Sequence, residues 1–281
     1  MITKVLVTGA KGQLGMDLVS ALNQADYRVY GIGKRQLDVT DFEQIMSQVS
    51  KIKPDIIIHC AAYTNVNQAE QHKDTAFLIN GIGTRNIAIA AESIEAKLIY
   101  ISTDYVFDGA DNEPYHEFSQ VNPLNVYGQS KLAGEQFVRD FHSKYYIIRT
   151  SWVFGVNGEN FIKKMLHLSE QNTELTVVND QTGCPTYTVD LARAIMQIME
   201  TNRYGIYHVS NSGSCTWYEL TLELFRLTNT SVKLIPCMTE EFPSPAKRPI
   251  YSVFDHMALR LNGFDTLPHW KDALDRFVKQ L

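Results

Sequence analysis

Several features that organise other proteins of this size are missing. There is no apolar run of membrane-spanning length, and Met1-Ile2-Thr3-Lys4 passes straight into an apolar strand pattern without signal-peptide flanks. A soluble cytoplasmic protein with no membrane partner is expected. No Lys/Arg block occurs, and the net charge is −5 with a pI near 5.9, so nothing resembles a footprint for a nucleic-acid backbone. The cysteines are only four, Cys60, Cys184, Cys215 and Cys237, and they form neither a C-x-x-C pair nor a zinc spacing with histidine. That excludes a disulfide framework and gives no reason to assign a metal. Internal repeats and low-complexity tracts are absent too.

What is present is an ordinary globular composition, 44% hydrophobic and 20% charged over 281 residues, enough for a large core and a second lobe. In the first half, short β-branched runs alternate with longer amphipathic stretches, the pattern of a parallel sheet wrapped by crossover helices. Strands are predicted near 4–8, 27–32, 55–59, 97–101 and 145–149, and helices near 13–24, 41–50, 75–93 and 127–141. The fold class read from this is α/β, a Rossmann-type doubly wound parallel sheet with a smaller C-terminal substrate-binding lobe. After Arg149 the alternation loosens, with helical stretches at about 160–169, 190–200 and 217–228. Residues 1–150 are therefore expected to bind a nicotinamide nucleotide. Residues 151–281 are expected to form mainly a cap, with segments returning to the first domain.

The first strand runs into Gly9-Ala10-Lys11-Gly12-Gln13-Leu14-Gly15, a G-x-x-G-x-x-G spacing at the start of a helix. Glycines there let the backbone turn sharply and approach a pyrophosphate, whose charge sits on free helix amides. Alone the string is also compatible with a tight turn that binds nothing. After the second strand, Lys34 and Arg35 stand where NAD-selective folds place an acid for the ribose 2′-hydroxyl. Two cations suit a 2′-phosphate, which favours NADPH, with NADH and a merely solvated basic loop as the alternatives. Asp38-Val39 follows, a pair suited to the adenine amino group and ring, or to a helix cap. The third strand ends in Cys60-Ala61-Ala62-Tyr63, small residues leaving room for a nicotinamide ribose, and Asn80 in the next helix is a candidate tether or water ligand.

Tyr127-Gly128-Gln129-Ser130-Lys131 sets a phenol and an ammonium four residues apart on one helix face. A lysine cation beside a tyrosine is expected to lower the phenol from its ordinary pKa of about 10 toward the range useful for proton transfer. By itself, Y-x-x-x-K is common. Upstream, Ile101-Ser102-Thr103-Asp104 carries hydroxyls to the carboxyl end of a strand, where open α/β sheets bind ligands, and Thr103 is placed to bond a substrate carbonyl.

At these residues the sequence resembles the extended short-chain dehydrogenases. More specifically, Ser102-Thr103-Asp104-Tyr105-Val106-Phe107-Asp108-Gly109, Pro123-Leu124-Asn125-Val126-Tyr127-Gly128, Arg149-Thr150-Ser151-Trp152-Val153-Phe154 and Asp180-Gln181-Thr182-Gly183-Cys184-Pro185-Thr186 resemble the dTDP-4-dehydrorhamnose reductase family over nearly the whole chain. The resemblance implies reduction of dTDP-4-dehydro-6-deoxy-L-mannose to dTDP-L-rhamnose, with Thr103, Tyr127 and Lys131 as the catalytic set. It also implies Asp104, Tyr105 and Trp152 in the sugar pocket, and Arg248 at the nucleotide diphosphate. Tyr105 and Trp152 have core packing as their alternative reading. A homodimer is a further implication, some relatives pairing through a metal-bridged contact. Asp17 and Asp190 could lend carboxylates, but isolated surface acids are the simpler reading. A nucleotide-sugar epimerase or dehydratase would share the cradle and the Tyr/Lys pair, although dehydratases carry Asp-Glu where this chain has Asp104-Tyr105. A third reading, from relatives that regulate methionine adenosyltransferase, is a cofactor-holding subunit without catalysis.

Overall fold

The structure is a computed structural model describing residues 2–281. The apolar runs become β1 (Lys4–Thr8), β2 (Arg28–Ile32), β3 (Ile56–His59), β4 (Lys97–Thr103) and β5 (Tyr145–Thr150), all paired in parallel. A sixth strand, Gly205–His208, comes back from the C-terminal half to pair with β5, giving the order sixth strand, β5, β4, β3, β1, β2. Covering a parallel sheet on both faces requires strands apolar on both sides. In β1, Val5 and Val7 enter one core and Leu6 the other, and β3 and β5 repeat this with Ile56/Ile58 against Ile57 and Tyr146/Ile148 against Ile147. Each such fully buried aliphatic side chain is worth roughly 1.5–3 kcal/mol.

One face is covered by α1 (Gln13–Gln24) and α8 (Thr188–Met199), through Leu14, Leu18 and Leu22 against Leu191, Ile195 and Ile198. The other carries α2 (Phe42–Ile52), α5 (Thr84–Ser93) and α6 (Val126–Phe141). The single helix expected at 75–93 is broken. After the short α3 (Val66–Ala69) and α4 (Lys73–Phe77), residues Leu78–Gly83 form a π-helical segment before α5 begins. It contains Asn80, which is fully buried. Its Oδ1 accepts from Tyr63 N–H at 2.8 Å, and its Nδ2 donates to Tyr63 O at 3.0 Å and to Ser130 Oγ at 2.9 Å.

The C-terminal half adds α7 (Phe161–Ser169), α9 (Trp217–Thr228), α10 (Met257–Leu261) and α11 (Trp270–Val278). Its own core gathers Phe154, Tyr187, Leu224, Trp270 and Phe277. A parallel pair, Glu174–Val178 with Lys233–Cys237, lies beside it. Among the described residues no helix is long and apolar enough to cross a membrane.

Candidate active site

Strand order reverses between β1 and β3, and the crevice at such a switch point is where open α/β sheets take ligands. A cleft of about 1030 Å³ opens there and reaches from the β1–α1 turn to the start of α6 and the C-terminal half. Its floor is the glycine turn. Gly9 adopts φ +65°, and a Cβ there would stand 2.6 Å from Ala61 N; on Gly15 it would stand 2.3 Å from Gly9 O. The first helical bond is Met16 N–H to Gly12 O, and α1 begins without a side-chain cap or an acid in its first turn. The leading amides and the positive helix end therefore face the cleft, as an anionic diphosphate requires.

Of the residues expected from sequence to hold a cofactor, Gly9, Gly12, Gln13, Leu14, Gly15, Lys34, Asp38, Val39, Ala61, Ala62 and Tyr63, together with Tyr127 and Lys131, all line this cleft. Asp38 is fixed by Thr40, whose N–H and hydroxyl both donate to Oδ1 (2.9 and 2.8 Å); those bonds hold its carboxyl below the usual carboxylate range. Two residues fall elsewhere. Arg35 is exposed and outside the lining, and the second cation at this corner is Lys11, whose stem lies against Gly33. Asn80 does not reach the cleft, because both ends of its amide are taken by Tyr63 and Ser130; it fixes the Ala61–Tyr63 wall from behind. Lys11 carried a weak signal, a cation inside the glycine turn itself.

At the other end, Thr103, Asp104, Tyr105, Tyr127, Lys131 and Trp152 converge on the same cleft. Asn125 caps α6 by accepting from Gly128 N–H at 2.8 Å, which sets the first turn of that helix. Gly128 is required by close approach, since a Cβ there would stand 2.1 Å from Tyr105 O. Lys131 is buried; its ammonium donates to Ile101 O at 2.6 Å and lies 4.1 Å from the centroid of the Tyr100 ring. Burial pushes its pKa down to about 7, against the opposing pull of Glu135 and then Cys60. Tyr127 is pushed up to about 12 by burial, with nearby Thr103 acting downward and Asp104 upward. Burial outweighs the other influences on Tyr127 in the ligand-free cleft, and the Lys131 ammonium is directed to the Ile101 carbonyl and the Tyr100 ring face. Asp104 is buried and raised to about 6 by desolvation; it accepts from Thr103 Oγ1 at 3.0 Å and Ser252 Oγ at 2.8 Å. It orients Thr103.

Trp152 holds φ +46°, a conformation a bulky side chain rarely adopts and one found at ligand sites. Its indole stacks on Trp217 with centroids 3.4 Å apart and lies over Gly183, where a Cβ would meet it at 2.5 Å. Trp217 also lines the cleft and was not foreseen, for a lone aromatic starting a helix reads as core. Its Nε1 donates to Gln181 Oε1 at 3.1 Å, so the 180–186 segment acts behind the aromatic wall. Arg248 is outside the lining. It donates through Nη2 to Asn67 Oδ1 (3.1 Å) and through Nη1 to Ser244 Oγ, and it sits beside Tyr105, opposing the upward pKa shift that burial imposes on that phenol. Its guanidinium therefore stands behind Tyr105 rather than in the cleft lining. Asp190 is no surface acid; it is buried and clasped by Arg276 at 2.9 and 2.6 Å. Asp17 accepts from Asn157 Nδ2 at 2.8 Å.

A glycine-cradled switch point joined to a buried Tyr-x-x-x-Lys helix defines a Rossmann-type oxidoreductase of the short-chain dehydrogenase class. Comparison with known proteins narrows this. The family model described as the RmlD substrate binding domain matches residues 3–281. A solved structure of dTDP-4-dehydrorhamnose reductase from Bacillus anthracis, in complex with NADP, is 49% identical with a TM-score of 0.98, covering 100% of both chains. The spore coat polysaccharide biosynthesis protein SpsK of Bacillus subtilis is 42% identical over 99% of this chain and 98% of its own. The dTDP-4-dehydrorhamnose reductase of Streptomyces griseus is 38% identical over 96% and 91%. The chain belongs to the dTDP-4-dehydrorhamnose reductase family. A UDP-glucose 4-epimerase from Thermus thermophilus, 20% identical at TM-score 0.83, shares the fold.

Proposed function

We propose that this protein uses NADPH to reduce the 4-keto group of dTDP-4-dehydro-6-deoxy-L-mannose, forming dTDP-L-rhamnose. The observation that carries the reading is that one cleft holds the glycine cradle at one end and Thr103, Tyr127 and Lys131 at the other. The family relatives named as 4-keto reductases of dTDP sugars, and the relative solved with NADP, support the substrate class and the cofactor.

When bound, NADPH supplies the hydride for the carbonyl carbon. The chain's residues do the rest. Gly9, Gly12 and Gly15 with the first amides of α1 hold the diphosphate, Lys11 and Lys34 meet the 2′-phosphate, and Asp38 and Val39 flank the adenine. Tyr127 gives its proton to the carbonyl oxygen. A phenol raised to about 12 is almost wholly protonated at neutral pH, which is the state a donor in the reducing direction must hold. Lys131, when charged, stabilises the tyrosinate left behind, and Thr103, steadied by Asp104, orients the oxygen. Trp152 and Trp217 form an apolar wall for the deoxy sugar, with Tyr105 beside Tyr127 at 5.8 Å between ring centroids. An elimination reaction lacks its glutamate, since Tyr105 fills that place.

On this reading residues 1–150 carry the cofactor and 151–281 mainly the substrate, and the enzyme works in the cytoplasm, in keeping with four free thiols. A homodimer is part of the proposal, tested by sedimentation. The function is tested by mixing enzyme, NADPH and freshly generated dTDP-4-keto-L-sugar. Loss of NADPH absorbance with formation of dTDP-L-rhamnose is expected. No NADPH consumption would refute reduction, and a product of other stereochemistry would replace the sugar named here.

A further inference from the structure

Tyr127, Lys131 and Glu135 follow one another at four-residue steps along α6, so all three share one face of the helix. Lys131 and Glu135 are each 2% exposed. The Glu135 carboxylate accepts from Ser102 Oγ at 2.5 Å and from a guanidinium fork, Arg149 Nε at 2.9 Å and Nη2 at 2.7 Å. Ser102 lies between Ile101, whose carbonyl takes the Lys131 ammonium, and Thr103, the neighbour of the reacting phenol. This carboxylate thus joins α6, β4 and β5 directly behind the reacting end of the cleft.

Other titratable groups surround Lys131. His59 and Cys60 face it from the end of β3, Tyr100 from β4 and Tyr127 from its own helix. Burial drives His59 down to about 3, Cys60 up to about 12 and Tyr100 upward, so all three are neutral near neutral pH, as is Tyr127. Arg149 is flanked in turn by His208, 3.4 Å from Nη1 and likewise neutral, and by the Phe107 ring. Glu135 is therefore the anion that acts on Lys131, and Arg149 is the cation bound to that anion.

Building on the reductase reading, we propose that Glu135 is a positioning residue that keeps the charge on Lys131, with Arg149 set against it as a counterweight. Buried ion pairs also occur as simple ties between elements. The two roles differ in sign. A tie weakens in the same way whichever partner is removed. A charge balance moves oppositely: Glu135→Gln makes Lys131 easier to deprotonate, Arg149→Gln makes it harder.

The measurement is a pH titration of the Lys131 side chain by NMR in ligand-free, full-length, lysine-labelled protein, assigned with Lys131→Met, beside the pH profile of kcat/KM. Glu135→Gln is expected to shift the Lys131 midpoint down by about one unit, and Arg149→Gln to shift it up by a comparable amount. The falling limb of kcat/KM should follow, a loss of about tenfold above the new midpoint for Glu135→Gln. Should a single variant fail to fold, Glu135→Gln/Arg149→Met removes both members of that ion pair together; its midpoint is expected to fall, Glu135 standing one turn from Lys131 on the same helix. Midpoints that move together in the two single variants, or an unmoved midpoint in the double variant, overturn the proposal. The titration uses no substrate, so failure of the sugar assay alone would strike the reductase reading and leave this one standing.

Discussion

Replacing Tyr127 by Phe removes one oxygen and little else. The ring keeps its edge-on contact with Tyr105 and its packing near Ala69, Ala76 and Val126. The lost hydroxyl stands near Thr103, and even a neutral hydrogen bond is worth only about 0.5–1.5 kcal/mol net, so the melting temperature should move only slightly. The cradle lies at the far end of the cleft, so NADPH affinity should be unchanged. Turnover is another matter. Without the phenol, the alkoxide forming at the sugar must take its proton from solvent, and positioned proton donation is usually worth about 10²–10⁴-fold. The expected fall in kcat corresponds to about 3–5 kcal/mol of barrier. Single-turnover mixing of the NADPH complex with the keto sugar, with deuterated NADPH to show that hydride transfer limits the rate, reads this directly. A kcat within threefold of wild type under those conditions would eliminate Tyr127 as the donor.

Gly15→Ala should raise the NADPH Kd by at least about tenfold in a fluorescence titration, because the new methyl would lie 2.3 Å from Gly9 O and the cradle must open to admit it. Lys11→Ala/Lys34→Ala should erode the preference for NADPH over NADH by about 1–3 kcal/mol, measured as the ratio of kcat/KM values, whereas Arg35→Ala should leave it alone. Asp104 carries a folded pKa of about 6 against an ordinary value of 3.8, so the fold favours its protonated form. That stabilisation is complete below pH 4 and lost as pH rises through about 6. Denaturant titrations should therefore show Asp104→Asn gaining on wild type over that window, by at most about 3 kcal/mol at neutral pH, while kcat falls because Thr103 loses its charged anchor.

Much of the cofactor half was legible in the sequence because its signals are local. A parallel strand buried on both faces must be a continuous apolar run, and a backbone approaching another at under 3 Å must be glycine, so β1 to β5 and the cradle could be read directly. What escaped depends on partners far along the chain. The π-helical turn at 78–83 holds Asn80, which bonds Tyr63 and Ser130, a pairing that no helical periodicity encodes. Lys11 displaces Arg35 because a turn decides which cation faces inward. Arg248 bonds Asn67 and Ser244, and Trp217 stacks in the cleft wall on Trp152, whose backbone is left-handed; neither arrangement is written in local sequence. The phenol's upward shift reflects burial, which a four-residue spacing does not reveal.

The strand Gly205–His208 gives the molecule a particular order of assembly. During synthesis β5 emerges with an open edge, and the residues that close it lie more than fifty positions further on, so the main sheet stays unfinished until part of the C-terminal half has left the ribosome. Cutting the gene after residue 150 would leave that edge bare and invite sheet-to-sheet aggregation, so the two halves cannot be exchanged as separable cassettes. A chimera that borrows a different sugar specificity would have to carry 205–208 with its matching β5, which makes the sheet edge, rather than the chain midpoint, the natural seam for recombination.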